Sequence, residues 1–431
     1  MGMAQSRFAG NRYDKTARLG FVSALRPGEP VPQMQPKVLT LTTVYPTEIE
    51  PELGVFVRMR VQHMAASTEL KVLSPAPIIN YRRRLLNFRR RVPARRWDGA
   101  IEVISPRWFY PPGGGALNAL FLFVQVLWPA VRLRRSFPFQ VIDAHFAHPE
   151  GVAAALVAML LRRPFTVTLR GSEHLHGHYW LRRKWMGWAL RRAGRVIAVA
   201  EKLRQYAIDL GVDPSRAVTI PNGIDTDTFH AHDRERSRAE YGTAKETRLV
   251  VSAGHLIELK GHHRIVRAVR KLADDGIDVE LLIAGGRGRA DDYEPALRRE
   301  IAELGLENRV RMLGHLDRVA LAKLLSAADV FCLASAREGW PNVIHEAQAC
   351  GTPVVATNVG GVPEMIPSEN LGLVVPPNDP AALHAALKQA LSRQWDRQAI
   401  AAWGQARSWR QVAAEVLREL QRVCEEFNAP V

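Results

Sequence analysis

The chain has 431 residues, of which 47% are hydrophobic and 24% charged, and this balance excludes a disordered chain and a disulfide-stapled miniprotein. Its length predicts two or three domains. With 59 basic and 43 acidic residues the net charge is +16, which points to an anionic partner such as nucleic acid, anionic lipid or a phosphorylated ligand.

Residues 1–36 are polar and basic and contain no apolar stretch of the kind found in secretory signals, so we expect a flexible basic extension. The three cysteines, Cys332, Cys350 and Cys424, have no metal-binding spacing and fit a reducing compartment. Together these features predict a cytoplasmic protein.

From residue 38 onward, apolar and β-branched runs alternate with helical patterns. Short apolar strands that alternate with helices indicate a parallel sheet buried on both faces. The predicted strands are Val38–Val44, Leu70–Leu73, Val141–Ile142, Phe165–Leu169 and Val196–Val199, and the predicted helices are Val55–Met64, Leu117–Val131 and Gly151–Leu161.

Residues 81–97 form a basic block in which Leu85, Leu86, Phe88 and Trp97 lie among eight arginines. Two interpretations stay open: a solvated charged loop, or a segment attracted to an anionic membrane surface. Nucleic-acid binding is a third, but no helix-turn-helix or RRM-like motif supports it. The apolar run Leu117–Val131 is too short and too interrupted to span a bilayer, and we interpret it as a buried or interfacial helix.

Turn chemistry at Pro221-Asn222-Gly223 breaks the first pattern, and the alternation restarts after a charged stretch. We therefore predict two doubly wound domains, 37–220 and 221–407, whose sheets place a ligand in the cleft between them. The predicted strands of the second domain are Leu249–Ala253, Val279–Ala284, Val310–Leu313, Val330–Leu333, Pro353–Ala356 and Gly372–Val375, and its predicted helices include Arg264–Asp274, Ala296–Leu304, Leu321–Ala327 and Val343–Ala349.

The segment from Arg337 to Thr357 is the most informative in the chain. It follows a predicted strand, and Pro341 suits the first turn of a helix. Glu338 then lies in the strand-to-helix loop and Glu346 on the helix itself. The free amides of the opening turn favour an anion, and the two carboxylates suit sugar or ribose hydroxyls. The alternative is a pair of solvated glutamates at a helix end.

Glu338 and Glu346, separated by seven residues and accompanied by Gly339, Pro341 and Asn342, resemble the E-x7-E signature of GT-B glycosyltransferases of family 4 (group 1). The resemblance covers roughly residues 38–427 and implies an α/β fold of GT-B type, with two Rossmann-like doubly wound domains facing a central cleft. The further blocks that agree in order are Pro221 to Asp225 with Phe229, Val310 to His315 with Ala328-Asp329-Val330, Gly360 to Glu364, and Ser408-Trp409 with a helix at 408–427 that crosses back to the first domain.

The resemblance implies a role for each matching residue. Glu346 is expected to bind the nucleotide ribose. Lys260, Glu338 and His145 are expected to be catalytic, with Lys260 neutralising the leaving diphosphate and His145 facing the reacting sugar. Arg170 is expected to contact the acceptor or a donor phosphate. The expected donor-binding residues are Gly54, His255, Gly261, Gly314, His315, Gly339, Trp340, Pro341, Asn342 and Glu346.

Two positions depart from the family pattern. Many relatives have an arginine where this chain has His255, so a second permanent positive charge on the diphosphate is in doubt. Relatives often have paired glycines where this chain has Leu53-Gly54. Asp225-Thr226-Asp227 has the spacing of a metal-binding motif but lies in the hinge turn, and GT-B enzymes generally need no metal.

These observations predict a retaining glycosyltransferase (EC 2.4) that moves a sugar from a UDP- or GDP-linked donor to a saccharide or lipid-linked acceptor in exopolysaccharide or cell-surface glycan synthesis. We expect no cofactor, no metal and no nucleic-acid partner, and peripheral attachment to the inner face of the cytoplasmic membrane. Two alternatives stay open: a nucleotide-sugar epimerase with the same fold, and a non-enzymatic basic protein that binds nucleic acid.

Overall fold

The structure is a computed structural model that describes residues 35–80, 85–86, 92–111, 114–286 and 292–429. Its first part is built around one sheet, and we call these elements the first lobe. They are β1 (Val38–Leu41), α1 (Val55–Ala65), β2 (Leu70–Leu73), β3 (Ala76–Pro77), β4 (Ile79–Asn80), β5 (Leu85–Leu86), β6 (Arg95–Asp98), β7 (Ile101–Ile104), β8 (Arg107–Trp108), α2 (Asn118–Ser136), β9 (Val141–His145), α3 (Val152–Leu161), β10 (Phe165–Leu169), α4 (Glu173–Gly177), α5 (Trp180–Leu190), β11 (Arg195–Ala198), α6 (Glu201–Asp209) and β12 (Ala217–Thr219).

A second sheet organises the rest of the chain, and we call the elements from α7 to α14 the second lobe. The elements are α7 (Arg234–Glu240), β13 (Arg248–Ala253), α8 (His262–Asp274), β14 (Val279–Ala284), α9 (Glu294–Glu303), β15 (Val310–Gly314), α10 (Arg318–Ala327), β16 (Val330–Leu333), α11 (Asn342–Ala349), β17 (Val354–Thr357), α12 (Val362–Met365), β18 (Gly372–Val375), α13 (Pro380–Ser392), α14 (Arg397–Gln405) and α15 (Trp409–Asn428).

The order of the strands fixes where ligands can enter. The first sheet runs β12-β11-β10-β9-β1-β2-β7-β6, and its strands are parallel except for β6. The second runs β15-β14-β13-β16-β17-β18 and is parallel throughout. The order therefore reverses between β1 and β9 in one sheet and between β13 and β16 in the other. In open parallel sheets the ligand crevice lies beyond the carboxyl ends of the strands at this reversal.

Helices cover both faces of each sheet. In the first sheet, α1 and α15 pack on one face and α2, α3, α5 and α6 on the other. In the second sheet, α10, α11 and α14 pack on one face and α8, α9 and α13 on the other. The central strands are apolar and β-branched because both of their faces are buried. The three cysteines are buried and unpaired, as expected for small core residues.

The chain passes between the lobes at two neighbouring places. The amide of Ile224 donates to the carbonyl of Arg407 at 2.9 Å, and the amide of Trp409 donates to the carbonyl of Ile224 at 3.3 Å. A capping box of Ser408 and Gln411 then starts α15, which packs on α1 and on β9 to β11 of the first lobe. The family-like crossing helix thus follows directly on the connection between the lobes.

The end of the basic block differs from the interpretation as a charged loop. Residues 95–98 are strand β6, antiparallel to β7 at the edge of the first sheet, rather than a loop. Arg95 and Trp97 face solvent and alternate with less exposed neighbours, and three of the four residues of the strand are charged, which hides the strand pattern. Residues 81–84 and 87–91 of the block, and residues 1–34, lie outside the described part of the chain.

The apolar helix is longer than predicted. It continues through Pro129 to Ser136, and its last turn carries Arg134 and Arg135. Its outer face exposes Val124 and Trp128, while Leu122 and Val126 are fully buried. Among the described residues, no helix is long and apolar enough to cross a membrane.

Candidate active site

A cavity of about 430 Å³ opens between the two sheets at the carboxyl ends of their strands. This size lies within the range of small-molecule sites. The second lobe supplies most of its walls, while α1 and the loop before it close one side. The residues expected from the sequence that line it are His255, Lys260, His315, Glu338, Trp340, Pro341, Asn342 and Glu346.

The floor of the cavity is glycine backbone. Gly254 follows β13, and Gly285 and Gly286 follow β14. Gly254 has φ +152° and Gly285 has φ +156°, both within the region that favours glycine. A side chain on Gly285 would collide with the carbonyl of Gly254. This floor lets a ligand approach the backbone closely.

Lys260 and Glu338 meet on one wall of the cavity. The Nζ of Lys260 donates to Oε1 of Glu338 at 2.6 Å, and the Oγ of Ser335 donates to the same oxygen at 2.7 Å. Both partners are largely buried, with side chains 20% and 10% exposed. Glu338 therefore holds the Lys260 ammonium in position at the cavity wall. An anionic ligand can replace Glu338 as the partner of this ammonium without bringing its own counterion.

Gly261, directly after Lys260, starts α8 with φ +72°. A side chain there would collide with the carbonyl of Ala334, so this glycine is needed for packing between α8 and the end of β16. Gly261 does not line the cavity, and neither does Gly314, which has φ +70° and whose carbonyl accepts from the amide of Gly285 at 2.7 Å. Gly261 and Gly314 therefore act on the cavity indirectly, through the backbone segments that they contact.

Glu346 reaches the cavity from α11. Pro341 is the residue before this helix rather than its first residue, and Pro341, Asn342 and Val343 at the opening turn line the cavity. Burial raises the pKa of the Glu346 carboxyl, the charge of Arg318 opposes this rise, and the charges of Asp225 and Glu52 add to it, so that the resulting pKa is about 7. Within the described residues this carboxyl has no hydrogen-bond partner, so both of its oxygens are available to a ligand.

Arg318 and Asp225 also line the cavity; the sequence prediction assigned Asp225 only to the hinge turn and did not include Arg318. The guanidinium of Arg318 lies 3.0 Å from Oδ2 of Asp225 and 5.3 Å from the ring centre of Phe229. Asp225 additionally accepts from the amide of Asp227 and the hydroxyl of Thr228, so its carboxylate serves the hinge turn and Arg318. Arg318 begins α10 just after β15. Its position beyond the carboxyl end of a strand is the sequence feature that could have identified it as a cavity residue.

His255 and His315 lie at the rim of the cavity. The ring of His315 is 58% exposed and lies 3.7 Å from Glu52 of the first lobe. His255 is exposed and lines the cavity. The permanent cations that line the cavity among the described residues are Lys260 and Arg318.

His145 lies at the end of β9 but outside the cavity lining. It is fully buried, with Nε2 3.3 Å from Oδ2 of Asp143 and Nδ1 accepting from Arg170 at 3.1 and 3.2 Å. Because arginine can only donate, Nδ1 is the acceptor and Nε2 carries the proton. Burial and the charges of Arg60 and Arg170 lower the pKa of His145 to about 3, which leaves the ring neutral. Both ring nitrogens are thus engaged by protein, which differs from the expected contact with a sugar.

A buried network surrounds this histidine. Arg60 donates to Asp143 at 2.6 Å and to Thr168 at 2.9 Å, and both members of the ion pair are essentially inaccessible to solvent. Burial alone would raise the pKa of Asp143, but the charge of Arg60 and the contact with His145 outweigh it and hold the pKa below its usual range. The network fixes the carboxyl ends of β9 and β10.

Arg170 joins the network to the second lobe. Its Nη1 donates to Oδ1 of Asn222 at 2.8 Å, and Nδ2 of Asn222 donates to Oδ1 of Asn342 at 2.9 Å. Arg170 does not line the cavity, and neither do Gly54 and Gly339. Gly54 instead has φ +72° at the start of α1 and packs on the backbone of Val44. The described residues contain no cluster of three metal-ligating side chains.

Comparisons with known proteins match this architecture. The model of Glycosyltransferase Family 4 matches residues 66–228, and that of Glycosyl transferases group 1 matches residues 233–407. A putative teichuronic acid biosynthesis glycosyltransferase, TuaC of Bacillus subtilis, is 30% identical over 365 residues, covering 81% of this chain and 88% of TuaC. The chain therefore belongs to glycosyltransferase family 4 (group 1), a family of EC 2.4 enzymes.

Other relatives match over a shorter stretch. A D-inositol 3-phosphate glycosyltransferase of Mycobacteroides abscessus is 34% identical over 221 residues, which is 51% of this chain and 49% of the relative, so the match spans about half its length. Among solved structures, Anabaena HepE in complex with UDP has a TM-score of 0.69 at 21% identity over 90% of this chain and all of HepE. Sucrose-phosphate synthase of Thermosynechococcus elongatus has a TM-score of 0.67 at 19% identity, covering 91% and 97%. These likenesses show a GT-B fold.

Proposed function

We propose that the protein is a retaining glycosyltransferase that uses a uridine diphosphate sugar as donor. The observation that carries this proposal is that Lys260, Glu338 and Glu346 line one cavity, together with the opening turn of α11. A cation and free amides suit a diphosphate, and carboxylates suit hydroxyls on either side of it. Related structures support the choice of base, because HepE has been solved with UDP, with UDP and glucose, and with UDP-glucose.

In this mechanism the second lobe holds the leaving group. Lys260 turns from Glu338 to the diphosphate and, with the amides at the start of α11, stabilises the charge that develops as the sugar–oxygen bond breaks. Glu338, freed from Lys260, orients the sugar hydroxyls. The two oxygens of Glu346 accept from the ribose diol.

Retention requires that the new bond form on the face from which the diphosphate departs. The acceptor oxygen attacks the anomeric carbon there, its proton passes to a diphosphate oxygen, and UDP leaves with that proton. His145 is neutral, and both of its nitrogens are engaged, so we assign it to holding the first lobe in shape rather than to proton transfer. The anomeric configuration of the first-formed product, measured by NMR, tests retention.

A donor panel tests the function itself. We expect UDP to raise the melting temperature of the protein, and UDP-sugars to be hydrolysed slowly when no acceptor is present. GDP-sugars should neither raise the melting temperature nor be hydrolysed. Equal activity with added EDTA is expected, because the proposal assigns the diphosphate charge to Lys260 and backbone amides. Conversion of the donor to an epimer in the absence of acceptor would favour an epimerase instead, and failure to bind any nucleotide sugar would overturn the proposal.

We further propose that the acceptor is lipid-linked and that the first lobe docks on the anionic inner face of the cytoplasmic membrane. A second cavity of about 560 Å³ lies between β6 and the outer face of α2, lined by Arg95, Trp128, Arg132 and Arg135 among others. Within the described residues, Arg132 and Arg135 have no ion-pair or hydrogen-bond partner. Trp128 is 67% exposed. Unpaired arginines beside an exposed tryptophan suit the phosphates and interface of a bilayer.

Co-sedimentation with vesicles tests this surface. We expect binding to vesicles that contain anionic lipid, weakening with salt, and little binding to neutral vesicles. The triple variant Arg95→Gln, Arg132→Gln, Arg135→Gln should release the protein, since each cation near such a surface contributes about 1 kcal/mol. The matched control replaces three exposed arginines elsewhere on the lobe, Arg162, Arg192 and Arg216. Equal binding to both vesicle types would contradict the membrane proposal.

A further inference from the structure

Helix α6 of the first lobe begins without a cap of its own. The residue before it is Ala200, in an extended conformation, and no side chain next to it in sequence bonds to the first amides. The opening amides of a helix need acceptors, and alanine is among the poorest residues at this place. By contrast, α10, α13 and α14 of the second lobe are each capped by an aspartate at the same position.

The missing cap comes from the other lobe. Glu364 of α12 accepts from the amide of Glu201 at 2.9 and 3.1 Å through its two carboxylate oxygens, and it also bonds to the amide of Lys202. The carboxylate therefore satisfies the first amides of α6 and opposes the positive end of its dipole. This contact exists only while the two lobes are held together.

The segment before Glu364 contacts the loop that carries Glu338 and Gly339, which we call the donor loop. The amide of Gly361 donates to the carbonyl of Gly339 at 2.9 Å. A Cβ on Gly361 would lie 3.2 Å from the Cβ of Ala200 and would overlap the ring of Trp340. Beside it, a Cβ on Gly171 of the first lobe would lie 2.6 Å from the Cα of Gly339. The first lobe thus packs directly on the backbone of the loop that carries Glu338.

We propose that Glu364 is a positioning residue: by capping α6 across the cleft it keeps the lobes closed on the donor loop. Closure sets the backbone of Gly339 against Gly171 and keeps water from the sugar. The residues to which the proposed function assigns the nucleotide, Lys260, Glu346 and the opening turn of α11, belong to the second lobe. Loss of Glu364 should therefore affect transfer and hydrolysis differently while leaving nucleotide binding in place. This inference rests on the proposed function.

The test compares Glu364→Ala and Glu364→Gln with Glu369→Ala, an exposed glutamate of the same lobe. Hydrogen exchange of the Glu201 and Lys202 amides, measured without ligand, should rise about five- to thirtyfold in Glu364→Ala. UDP affinity should stay within about twofold, because the donor contacts lie elsewhere. Turnover should fall, and the ratio of donor hydrolysis to transfer should rise several-fold. Glu364→Gln keeps a hydrogen-bond acceptor but loses the charge. Its amide exchange, turnover and hydrolysis ratio should therefore lie between those of the unmodified protein and those of Glu364→Ala.

A second variant separates closure from the stability of α6. Ala200→Ser combined with Glu364→Ala gives the helix a cap from its own lobe. We expect this double variant to restore slow amide exchange in α6 but not the ratio of transfer to hydrolysis. Restoration of both would mean that Glu364 merely stabilises the helix, and unchanged exchange in Glu364→Ala would overturn the proposal. If the exchange changes as expected but no UDP-sugar binds to the unmodified protein, the proposed function fails and the cross-lobe cap stands.

Discussion

The two lobes present their polar residues to the cleft in opposite ways. In the second lobe, Lys260, Glu338 and Glu346 line the cavity above a glycine floor, and Glu346 has no partner in the described residues. In the first lobe, His145 and Arg170 are held by buried side chains and do not line the cavity. The second lobe is therefore built to receive a ligand, whereas the polar residues of the first lobe serve as its scaffold.

The first lobe meets the cavity mainly through α1. Val55, Phe56 and Met59 line it, together with Glu52 in the preceding loop. Three of these side chains form an apolar wall of the cavity, and the fourth, Glu52, places one carboxylate at its rim. If the comparison between lobes is right, substitutions in the first-lobe network should reduce stability, and substitutions in the second-lobe site should reduce binding or turnover.

The largest effect is expected for Asp143→Asn. It keeps the shape of the side chain but leaves Arg60 buried without its carboxylate partner, and it removes a negative charge that favours the charged form of Arg170. Breaking a buried ion pair on one side costs about 3–5 kcal/mol of unfolding free energy. Urea denaturation measures the loss. Asp209→Asn, on the exposed face of α6, is the control and should stay within about 0.5 kcal/mol. A stable Asp143→Asn protein with poor UDP binding would reverse the roles assigned to the lobes.

Lys260→Ala should come next, with an effect on turnover rather than on folding. Removing one preorganised donor to a developing charge lowers kcat by about 10²–10³. Steady-state kinetics with the best donor of the panel, together with a melting curve, separates the two effects. Lys271→Ala, exposed on helix α8, which follows Lys260, should behave like the unmodified protein. Unchanged kcat in Lys260→Ala would remove the central cation from the mechanism.

Much of the second lobe could be predicted from the sequence. Each strand is a short apolar run bounded by turns, and the structure has strands at all six predicted positions. The position of Glu338 in a loop and of Glu346 on a helix also followed from local rules, because Pro341 and Gly351 bracket the helix. Here local sequence and tertiary structure agree.

The rest depended on contacts between distant parts of the chain. The sequence placed His145 at a strand end, but only the fold shows that Arg170 occupies its Nδ1. Arg318 and Asp225 form an ion pair only because the hinge turn and the start of α10 meet at the cavity. β6 was missed because an edge strand needs only one buried face, and its exposed face carries Arg95 and Trp97.

A smaller effect is expected from the ionisation of Glu346. Its pKa of about 7 means that the unliganded carboxyl is half protonated near neutrality. Only the ionised form can accept from both hydroxyls of a ribose diol, so affinity should rise with pH up to about 7 and then level off, losing at most about tenfold per unit below it. Calorimetry with UDP-glucose is suitable, since its diphosphate lacks the second phosphate ionisation near pH 6.

Glu346→Gln is the control for this pH profile. The amide has one acceptor and one donor at every pH, so affinity should be lower at pH 8 and nearly independent of pH. His255 and His315 also line the cavity. A slope that persists in Glu346→Gln would therefore assign the pH dependence to these histidines instead.

The smallest effect, and the sharpest check on the site, is expected for Arg318→Gln. The charge of Arg318 lowers the pKa of Glu346, while Asp225, its ion-pair partner, raises it. Removing the cation takes away the first effect and leaves Asp225 unneutralised, so both changes move the Glu346 pKa upward. We expect the midpoint of the affinity profile to shift to higher pH by up to about one unit. Arg309→Gln, at the opposite end of the same sheet, should leave it in place. An unmoved midpoint with lower affinity at every pH would mean that Arg318 contacts the donor phosphates directly, making it a ligand-binding cation of the second lobe rather than a residue that tunes Glu346.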